Sequence, residues 1–197
     1  MSITLELAEI LGLLCAEGCH VVSFSSYWGL ERGKPRYYRN AKSESIQFYN
    51  KDRLLISHYQ KLLSKEFDYH PKLTKHGKIN ICKINIMREI TRHTKLGHLS
   101  WQVPGSIRNS NKEIKIAFLR GYFDGDGSAT GRKIRFFSCN KSGLLQVSRL
   151  LDDLNFKHTF QGPIIKEDRK PSYIIQISRQ QKERFLNIIK PISKIPG

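Results

Sequence analysis

Two short segments of the sequence each place an acid directly before a glycine, at the end of a pattern with helical spacing. Residues 8–18 read AEILGLLCAEG and residues 117–127 read AFLRGYFDGDG, so the second copy follows the first at a constant offset of 109 positions, since 117 − 8 = 127 − 18 = 109. The acid is Glu17 in the first copy and Asp126 in the second. In both copies a small residue recurs at every fourth position, and residues four apart share one helix face. The predicted small-residue stripes are Ala8, Gly12, Ala16 and Ala117, Gly121, Gly125.

The stripes predict two helices that pack tightly and bring the two acids together. Small side chains let two helix backbones approach closely, and Gly18 and Gly127 are the glycines that commonly end a helix. Carboxylates at a helix C-terminus are mildly unfavourable, and two of them repel each other unless a cation lies between them. An oxygen-rich, anionic site suits Mg²⁺ or a similar hard cation. Two neighbouring metal-binding acids are what phosphodiester hydrolysis requires.

Ordinary helix packing is the alternative interpretation of these segments. A single small-residue stripe that ends in an acid and a glycine is common and indicates little by itself. Two copies in register, each with its acid at the same place, favour a functional pair. Two core helices with capping acids would not explain why both acids occupy the electrostatically unfavourable terminus.

The charge of the chain indicates a polyanionic partner. Its 197 residues include 34 Lys and Arg against 17 Asp and Glu, which gives a formal net charge of +17. Nucleic acid is the first class of partner that such a charge predicts, and an acidic membrane surface is the second. The membrane class requires a basic amphipathic helix, and the sequence has none. A ribosomal protein or a passive binder would carry the same charge, so the charge alone does not indicate an activity.

The remaining composition predicts an intracellular protein, in a prokaryotic cytoplasm or an organelle. The apolar residues 3–14 contain Glu6 and Glu9 and lack a basic leader, so they do not resemble a signal peptide. No apolar run reaches the length of a membrane span. The cysteines show no zinc-binding spacing and are predicted to be reduced, buried thiols. They are Cys15, Cys19, Cys82 and Cys139.

Hydrophobic periodicity predicts the same order of elements in both halves, α-β-β-α-β-β-α. The first half is predicted to comprise helices at 4–17, 52–67 and 88–95 and hairpins at 20–49 and 69–87. The second half is predicted to comprise helices at 110–126 (capped by Asn109 or Ser110), 141–154 and 179–189 and hairpins at 128–138 and 157–177. The domain boundaries follow as 1–98, a linker at 99–110, and 111–197. A repeat of this length indicates a duplicated unit with pseudo-two-fold symmetry.

The two motifs, together with this order of elements, resemble those of the LAGLIDADG homing endonuclease family in its single-chain, two-motif form. The motifs are residues 10–18, ILGLLCAEG, and residues 119–127, LRGYFDGDG. The second is close to the family consensus. The first departs from it, because Cys15 stands where Asp is frequent and Glu17 replaces Asp, although Glu17 keeps the carboxylate.

The resemblance implies an α+β fold in which two antiparallel sheets form a saddle over a DNA duplex, with the motif helices packed at its centre. It implies a monomeric, mobile-element-encoded enzyme of intron-homing type that cleaves both strands at a long, asymmetric site and leaves short 3′ overhangs. The divalent metal, Mg²⁺ or Mn²⁺, would be held at Glu17 and Asp126, with Ala16 and Gly125 beside them.

Further site residues are predicted from matching positions in the two halves. Asn50-Lys51 and Asn140-Lys141 both precede a predicted helix at a strand-to-helix corner, which nominates all four as catalytic. For the two lysines, plain contact with phosphate is an equally good interpretation.

Strand alternation predicts a DNA-binding face, because a two-stranded ribbon fits the major groove and every second side chain points into it. The candidates in the first hairpin are Tyr27, Arg32, Lys34, Arg36, Tyr38, Asn40 and Lys42, with Arg132, Lys133 and Arg135 as their counterparts. The outer hairpins contribute Lys72, Lys75, Lys78, Lys166, Arg169 and Lys170. Together they predict a steep dependence of binding on salt.

Two alternatives on the same scaffold remain open. One is an RNA maturase that assists intron splicing, because a basic saddle could also hold structured RNA. The other is a DNA-binding protein without catalysis. The acids retained in both copies argue against a catalytically dead protein but not against a bifunctional one.

Overall fold

The structure, a computed structural model, describes residues 3–194. Its helices are α1 (Leu5–Glu17), α2 (Arg53–Phe67), α3 (Ile84–His93), α4 (Gly105–Arg108), α5 (Lys112–Asp126), α6 (Lys141–Asp153) and α7 (Lys182–Ile189), with a 3-10 turn at Arg179–Gln181 before α7. Its strands are β1 (Gly18–Glu31), β2 (Lys34–Tyr49), β3 (Lys78–Ile81), β4 (Gly127–Thr130), β5 (Lys133–Ser138), β6 (His158–Ile164) and β7 (Ser172–Ile177). No helix among residues 3–194 is long and apolar enough to cross a membrane.

The strands form two antiparallel sheets, one in each half. The first sheet has the order β1-β2-β3 and the second has the order β4-β5-β7-β6. On one face of each sheet, alternating apolar side chains such as Ile46 and Phe48 in β2 and Ile134 and Phe136 in β5 are buried. The opposite faces are more exposed, and the outer part of the β1–β2 hairpin is largely exposed on both faces, including the apolar side chains Phe24, Trp28 and Leu30.

The predicted hairpin at residues 69–87 is wrong in its first strand. Of that strand only a single bridge remains, between Leu73 and Ile79. Pro71, which has no N–H to give to a ladder, lies in the segment. The closing helix α3 then begins at Ile84, four residues before the predicted start. The first half therefore reads α-β-β-α-β-α.

The segment between the two halves contributes to the core. Trp101, Val103 and Ile107 are buried there, and the Trp101 ring lies 5.0 Å from the ring of Tyr122, measured between centroids. A Cβ on Gly143 would lie 2.5 Å from the Trp101 ring. One continuous apolar cluster spans the two halves, and these three residues of the segment at 99–110 belong to it.

The two motif helices begin at side-chain caps. Thr4 accepts a hydrogen bond from the Leu7 N–H at α1 (3.0 Å), as the predicted start of this helix requires. At α5 the cap is Asn111, which accepts from the Ile114 N–H (3.1 Å). The predicted caps Asn109 and Ser110 are therefore wrong, because the short helix α4 continues the chain up to that point.

Candidate metal-binding active site

The two motif helices meet along a seam where the backbones touch. A Cβ placed on Gly12 would lie 2.2 Å from the carbonyl oxygen of Phe118, and a Cβ on Gly121 would lie 2.2 Å from the carbonyl oxygen of Glu9. These contacts are equivalent, because Gly121 and Phe118 stand 109 positions after Gly12 and Glu9. No side chain larger than hydrogen fits at either glycine without moving a backbone. The seam is therefore pseudo-two-fold symmetric in its closest contacts.

The seam stays narrow up to the ends of both helices. Ala8 and Ala117 are buried in it. A Cβ on Gly125 would lie 2.4 Å from the Ala16 Cβ and 3.2 Å from Glu17 Cγ. All six small residues of the two stripes therefore lie where the sequence predicts them, and the last of them brings the end of α5 against Glu17.

Glu17 and Asp126 are the last residues of α1 and α5 and lie side by side, half-buried. Burial and, after it, the neighbouring Glu17 charge raise the pKa of Asp126 to about 7, against the opposing charge of Lys194. Burial also raises the pKa of Glu17, against the lowering effects of Lys194 and of a hydrogen bond from Asn50. The two carboxyl groups thus carry an electrostatic cost that a cation between them would relieve.

In the first half-site, Asn50 connects Glu17 to the start of α2. Its Nδ2 donates to Glu17 Oε1 (3.2 Å), and its Oδ1 accepts from the Asp52 N–H (2.8 Å). Asp52 in turn caps α2. The amide of Asn50 is therefore held by the backbone and orients the carboxylate.

In the second half-site, Asn140 faces the protein interior and does not occupy the corresponding place. It is buried, its Oδ1 accepts from the Gly143 N–H (3.0 Å), and its Nδ2 donates to the carbonyl oxygen of Trp101 (2.6 Å). Asn140 is itself the cap of α6. The prediction that it matches Asn50 is therefore wrong, because the corner in the second half is one residue shorter.

Ser138 occupies the position equivalent to Asn50. It lies two residues before its helix cap, and its Oγ accepts from the Asn140 N–H (3.0 Å), as Asn50 Oδ1 accepts from the Asp52 N–H. The matching of Asn-Lys pairs missed this serine. Counting back from each helix cap would have found it.

A cavity of about 310 Å³ lies next to Asp126. Its lining residues are Ala16, His98, Trp101, Asp126, Phe137, Ser138, Cys139 and Ser172. At its rim His98 Nε2 is hydrogen-bonded to Lys170 Nζ, so Lys170, predicted at an outer hairpin, reaches this half-site through His98.

Only Cys15 of the four cysteines is fully buried, and Cys19 and Cys82 are exposed, which corrects the prediction of four buried thiols.

The two nominated lysines are exposed. Lys51 lies between β2 and α2, and Lys141 is the first residue of α6. Lys141 Nζ lies 6.0 Å from the centroid of the Tyr173 ring. Within residues 3–194 neither lysine forms an ion pair. Both side chains are therefore free to meet a phosphate.

The oxygen atoms at the end of the seam suit a hard divalent cation, but they would supply only part of its coordination shell. Two carboxylates of like charge lie at two helix C-termini, where backbone carbonyl groups lack helical partners. Among the described residues, no group of three or more His, Cys, Asp or Glu could hold a metal ion. The acids and the adjacent Ala16 and Gly125 would have to be supplemented by water or by a ligand.

The polar face of the second sheet carries two of the predicted DNA-binding residues. Lys133 and Arg135 lie opposite Thr130 and Ser128 in the β4–β5 register, on the side away from buried Ile134. Arg135 Nε donates to Gln176 Oε1 (2.9 Å). The Arg135 guanidinium is thus held in place on this face.

The predicted face of the first hairpin is interrupted by a bulge. Ser25 pairs with Ala41 but Tyr27 pairs with Tyr38, so three positions of β2 oppose two of β1, and Asn40 adopts φ +51° there. Arg36, which lies over the Tyr38 ring at 5.5 Å, shares the polar face with Tyr38.

Lys42 lies on the opposite face of β2. It lies on the same face as Glu44 and buried Ile46, because the three residues are two apart along the strand. Its Nζ lies 2.8 Å from a Glu44 carboxylate oxygen. The prediction that Lys42 shares a face with Arg36 and Tyr38 is therefore wrong, because the bulge shifts the alternation. The other predicted contact residues that lie at turns and in strands are exposed, namely Tyr27, Arg32, Lys34, Lys72, Lys75, Lys78, Arg132, Lys166 and Arg169.

Comparison with known proteins confirms the resemblance seen in the motifs. Residues 113–190 match the family described as LAGLIDADG-like domain. The chain is 26% identical over 185 residues to the homing endonuclease I-DmoI of Desulfurococcus mucosus, covering 92% of this chain and 86% of that protein. It is also 25% identical over 194 residues to a DNA polymerase of Methanocaldococcus jannaschii, covering 95% of this chain but only 11% of the polymerase.

Solved structures of homing endonucleases share the fold. Mesophilic variants of I-DmoI superpose with a TM-score of 0.66 at 21% identity, covering 94% of this chain and 96% of theirs. I-DmoI in complex with DNA and Mn superposes with a TM-score of 0.64 at 20% identity, and the match covers 94% of this chain and 96% of that one. The I-LtrWI LAGLIDADG homing endonuclease bound to target DNA superposes with a TM-score of 0.59 at 12% identity, and the match covers 96% of this chain and 86% of that one. The predicted α+β fold with two antiparallel sheets is confirmed.

Proposed function

We propose that this chain, a single-chain protein with the LAGLIDADG fold, is a site-specific endonuclease that cleaves both strands of a DNA duplex with divalent metal ions. The observation that carries the proposal is the pair of partly desolvated acids at the end of a seam too narrow for side chains. Glu17 and Asp126 are forced together there although they repel each other, which helix packing alone does not require. The similarity to I-DmoI, a homing endonuclease whose structures hold DNA and Mn, supports the same function.

Glu17 and Asp126 would hold the metal ions, with Ala16 and Gly125 beside them. When bound, Mg²⁺ or Mn²⁺ supplies an activated water and neutralises charge on the leaving oxygen. Asn50 orients the Glu17 carboxylate through its hydrogen bond. Each acid serves one strand, and cleavage leaves short 3′ overhangs.

The polar faces of the two sheets would lie along the duplex. Arg36, Tyr38, Lys133 and Arg135 reach the grooves, while Lys51, Lys141 and the exposed lysines of the turns contact phosphates. The net charge of +17 on one chain supports binding as a monomer to a long site, with affinity that falls steeply as salt increases.

The test uses purified protein and a plasmid that carries the uninterrupted host locus, with and without Mg²⁺. We expect a linear product only with Mg²⁺. Glu17→Gln and Asp126→Asn should each abolish linearisation, by at least about 10³-fold in rate, and leave nicked plasmid, while binding in a gel-shift assay with Ca²⁺ stays largely intact.

Glu183→Gln is the matched control, because Glu183 is an exposed acid in the first turn of α7, away from the seam. It should cut like the unchanged protein. Full linearisation by both acid variants would overturn the metal assignment. Stimulation of intron splicing without any cleavage would show an RNA maturase instead.

A further inference from the structure

The first hairpin extends beyond the body of its sheet as a two-stranded ribbon. β3 borders β2 only at residues 46–49, and β1 is the edge strand of the sheet. The outer ribbon, residues 22–44, therefore pairs only with itself within the part of the chain that the structure describes. In the second half, by contrast, β7 borders β5 at residues 134–138, which is nearly the whole strand.

The outer ribbon requires a source of rigidity besides its backbone ladder. A two-stranded hairpin alone is marginally stable in water, and the bulge at Asn40 bends the strand that carries it. Arg36 and Tyr38 lie on the tip side of this bulge. Their positions over a DNA groove therefore depend on whatever stiffens the outer ribbon.

Aromatic pairs join the two strands on adjacent rungs of the ladder. Tyr27 lies opposite Tyr38, and Trp28 lies opposite Tyr37. In both pairs the ring centroids are 5.3 Å apart. Because neighbouring residues of a strand point to opposite faces, each face of the outer ribbon carries one pair. A Cβ on Gly29 would lie 3.1 Å from the Tyr38 ring, so the glycine leaves room for the tyrosine stack.

The Trp28–Tyr37 pair lies on the face that points away from Arg36 and Tyr38. Tyr37 stands between these two residues in β2, so alternation places its side chain on the other face, here called the outward face. Trp28 is 72% exposed and Tyr37 is 50% exposed, so neither ring belongs to the core. The contact that accounts for the two rings is the one they make with each other, and such cross-strand aromatic pairs stabilise a ribbon.

We infer that Trp28 and Tyr37 are positioning residues, which stiffen the outer ribbon from its outward face and so hold Arg36 and Tyr38 in place for DNA. They act without touching the bases. The inference rests on the proposed function, because it takes the face with Arg36 and Tyr38 as the DNA-binding face. Since the second half has the shorter hairpin, the effect should be confined to the part of the target under the first sheet.

The test measures binding to a duplex of the uninterrupted host locus by gel shift with Ca²⁺. Trp28→Ala and Tyr37→Ala should each weaken binding by about three- to tenfold, because DNA must then order a looser ribbon. Trp28→Tyr keeps an aromatic contact and should bind like the unchanged protein. The double variant should lose no more than either single variant, since all three remove one contact.

The cleavage rate at saturating protein with Mg²⁺ should be unchanged in Trp28→Ala. Trp28 lies roughly 30 Å along β1 from Gly18, which follows the first acid. The defect should therefore appear in the dissociation constant and not in the chemical step. A slower step at saturation would contradict a role limited to the outer ribbon.

Leu30→Ala is the matched control. Leu30 lies two residues after Trp28, so it shares the outward face, and it is 73% exposed opposite Pro35. It should bind like the unchanged protein. An equal loss in Leu30→Ala would show that the outward face itself contacts DNA, and additive losses in the double variant would show that the two rings act separately. Either result would overturn the inference, whereas failure of the unchanged protein to bind would contradict the proposed function instead.

A second readout locates the defect along the target. Dimethyl sulfate methylates guanine N7 in the major groove, and bound protein blocks it. With Trp28→Ala, protection should fall only at the outer end of the half-site under the first sheet. Loss of protection along the whole site would show a general loss of structure and would contradict the positioning role.

Discussion

The two half-sites are alike where backbones touch and different where polar side chains surround the acids. Gly12 and Gly121 make the same 2.2 Å approach to opposite backbones. By contrast, Glu17 accepts a hydrogen bond from Asn50, whereas Asp126 faces a cavity lined by Ser138. Lys194, whose charge opposes the upward pKa shifts of both acids, comes from the second half alone.

This difference indicates which features of a duplicated unit are constrained. A close backbone contact across a two-fold seam demands small residues from both partners, so neither copy can change alone. The polar flanks have no such reciprocal constraint, since each serves a different strand of an asymmetric duplex. We therefore expect equal effects from changes in the seam and unequal effects from changes in the flanks.

The largest effects are expected in the seam. Gly12→Ala and Gly121→Ala each place a Cβ 2.2 Å from a backbone oxygen, so each should reduce the free energy of unfolding by at least about 1–3 kcal/mol. The two losses, measured by urea denaturation, should agree closely. Gly105→Ala is the control, because its nearest contact would be 3.8 Å away. A large inequality between the two seam variants would break the proposed symmetry.

A smaller effect is expected when pH changes, and it should separate the strands. The pKa of Asp126 is raised to about 7, so below that pH its carboxyl group is protonated and loses its affinity for metal. Cleavage of the strand served by Asp126 should fall as pH drops through about 7 at subsaturating Mg²⁺. Cleavage of the strand served by Glu17 should fall at a lower pH, because a hydrogen bond from Asn50 opposes the upward shift of the Glu17 pKa.

The measurement is kcat/KM for each end-labelled strand between pH 5.5 and 8.5, a range of about three units around neutrality. Coincident pH profiles for the two strands would show that the acids titrate as one coupled pair. That result would show that the two half-sites do not differ in the pKa of their acids.

The smallest effects are expected from the flanking side chains. Asn50→Ala should slow the strand served by Glu17 by about tenfold, because the carboxylate loses its orienting hydrogen bond. Ser138→Ala should slow the other strand by about two- to threefold, since no hydrogen bond from Ser138 to Asp126 is present. Single-turnover assays with each strand labelled would measure both rates. Equal defects would show that Ser138 does for Asp126 what Asn50 does for Glu17.

The sequence by itself determined the seam and the acid pair. A small residue at every fourth position and an acid before a glycine constrain a helix pair locally, and repetition at one offset imposes the symmetry. The order of elements in the second half followed from hydrophobic periodicity for the same reason, since periodicity reflects which face of an element is buried.

Only the tertiary structure decided the polar surroundings of the acids. A corner shorter by one residue turned Asn140 into a buried helix cap, and a bulge moved Lys42 to the far face of its strand. The backbone of Lys194 lies against α5 because Asp124, 70 positions earlier, accepts a hydrogen bond from its N–H. These placements depend on loop length, register and long-range hydrogen bonds, which leave no periodic signal in the sequence.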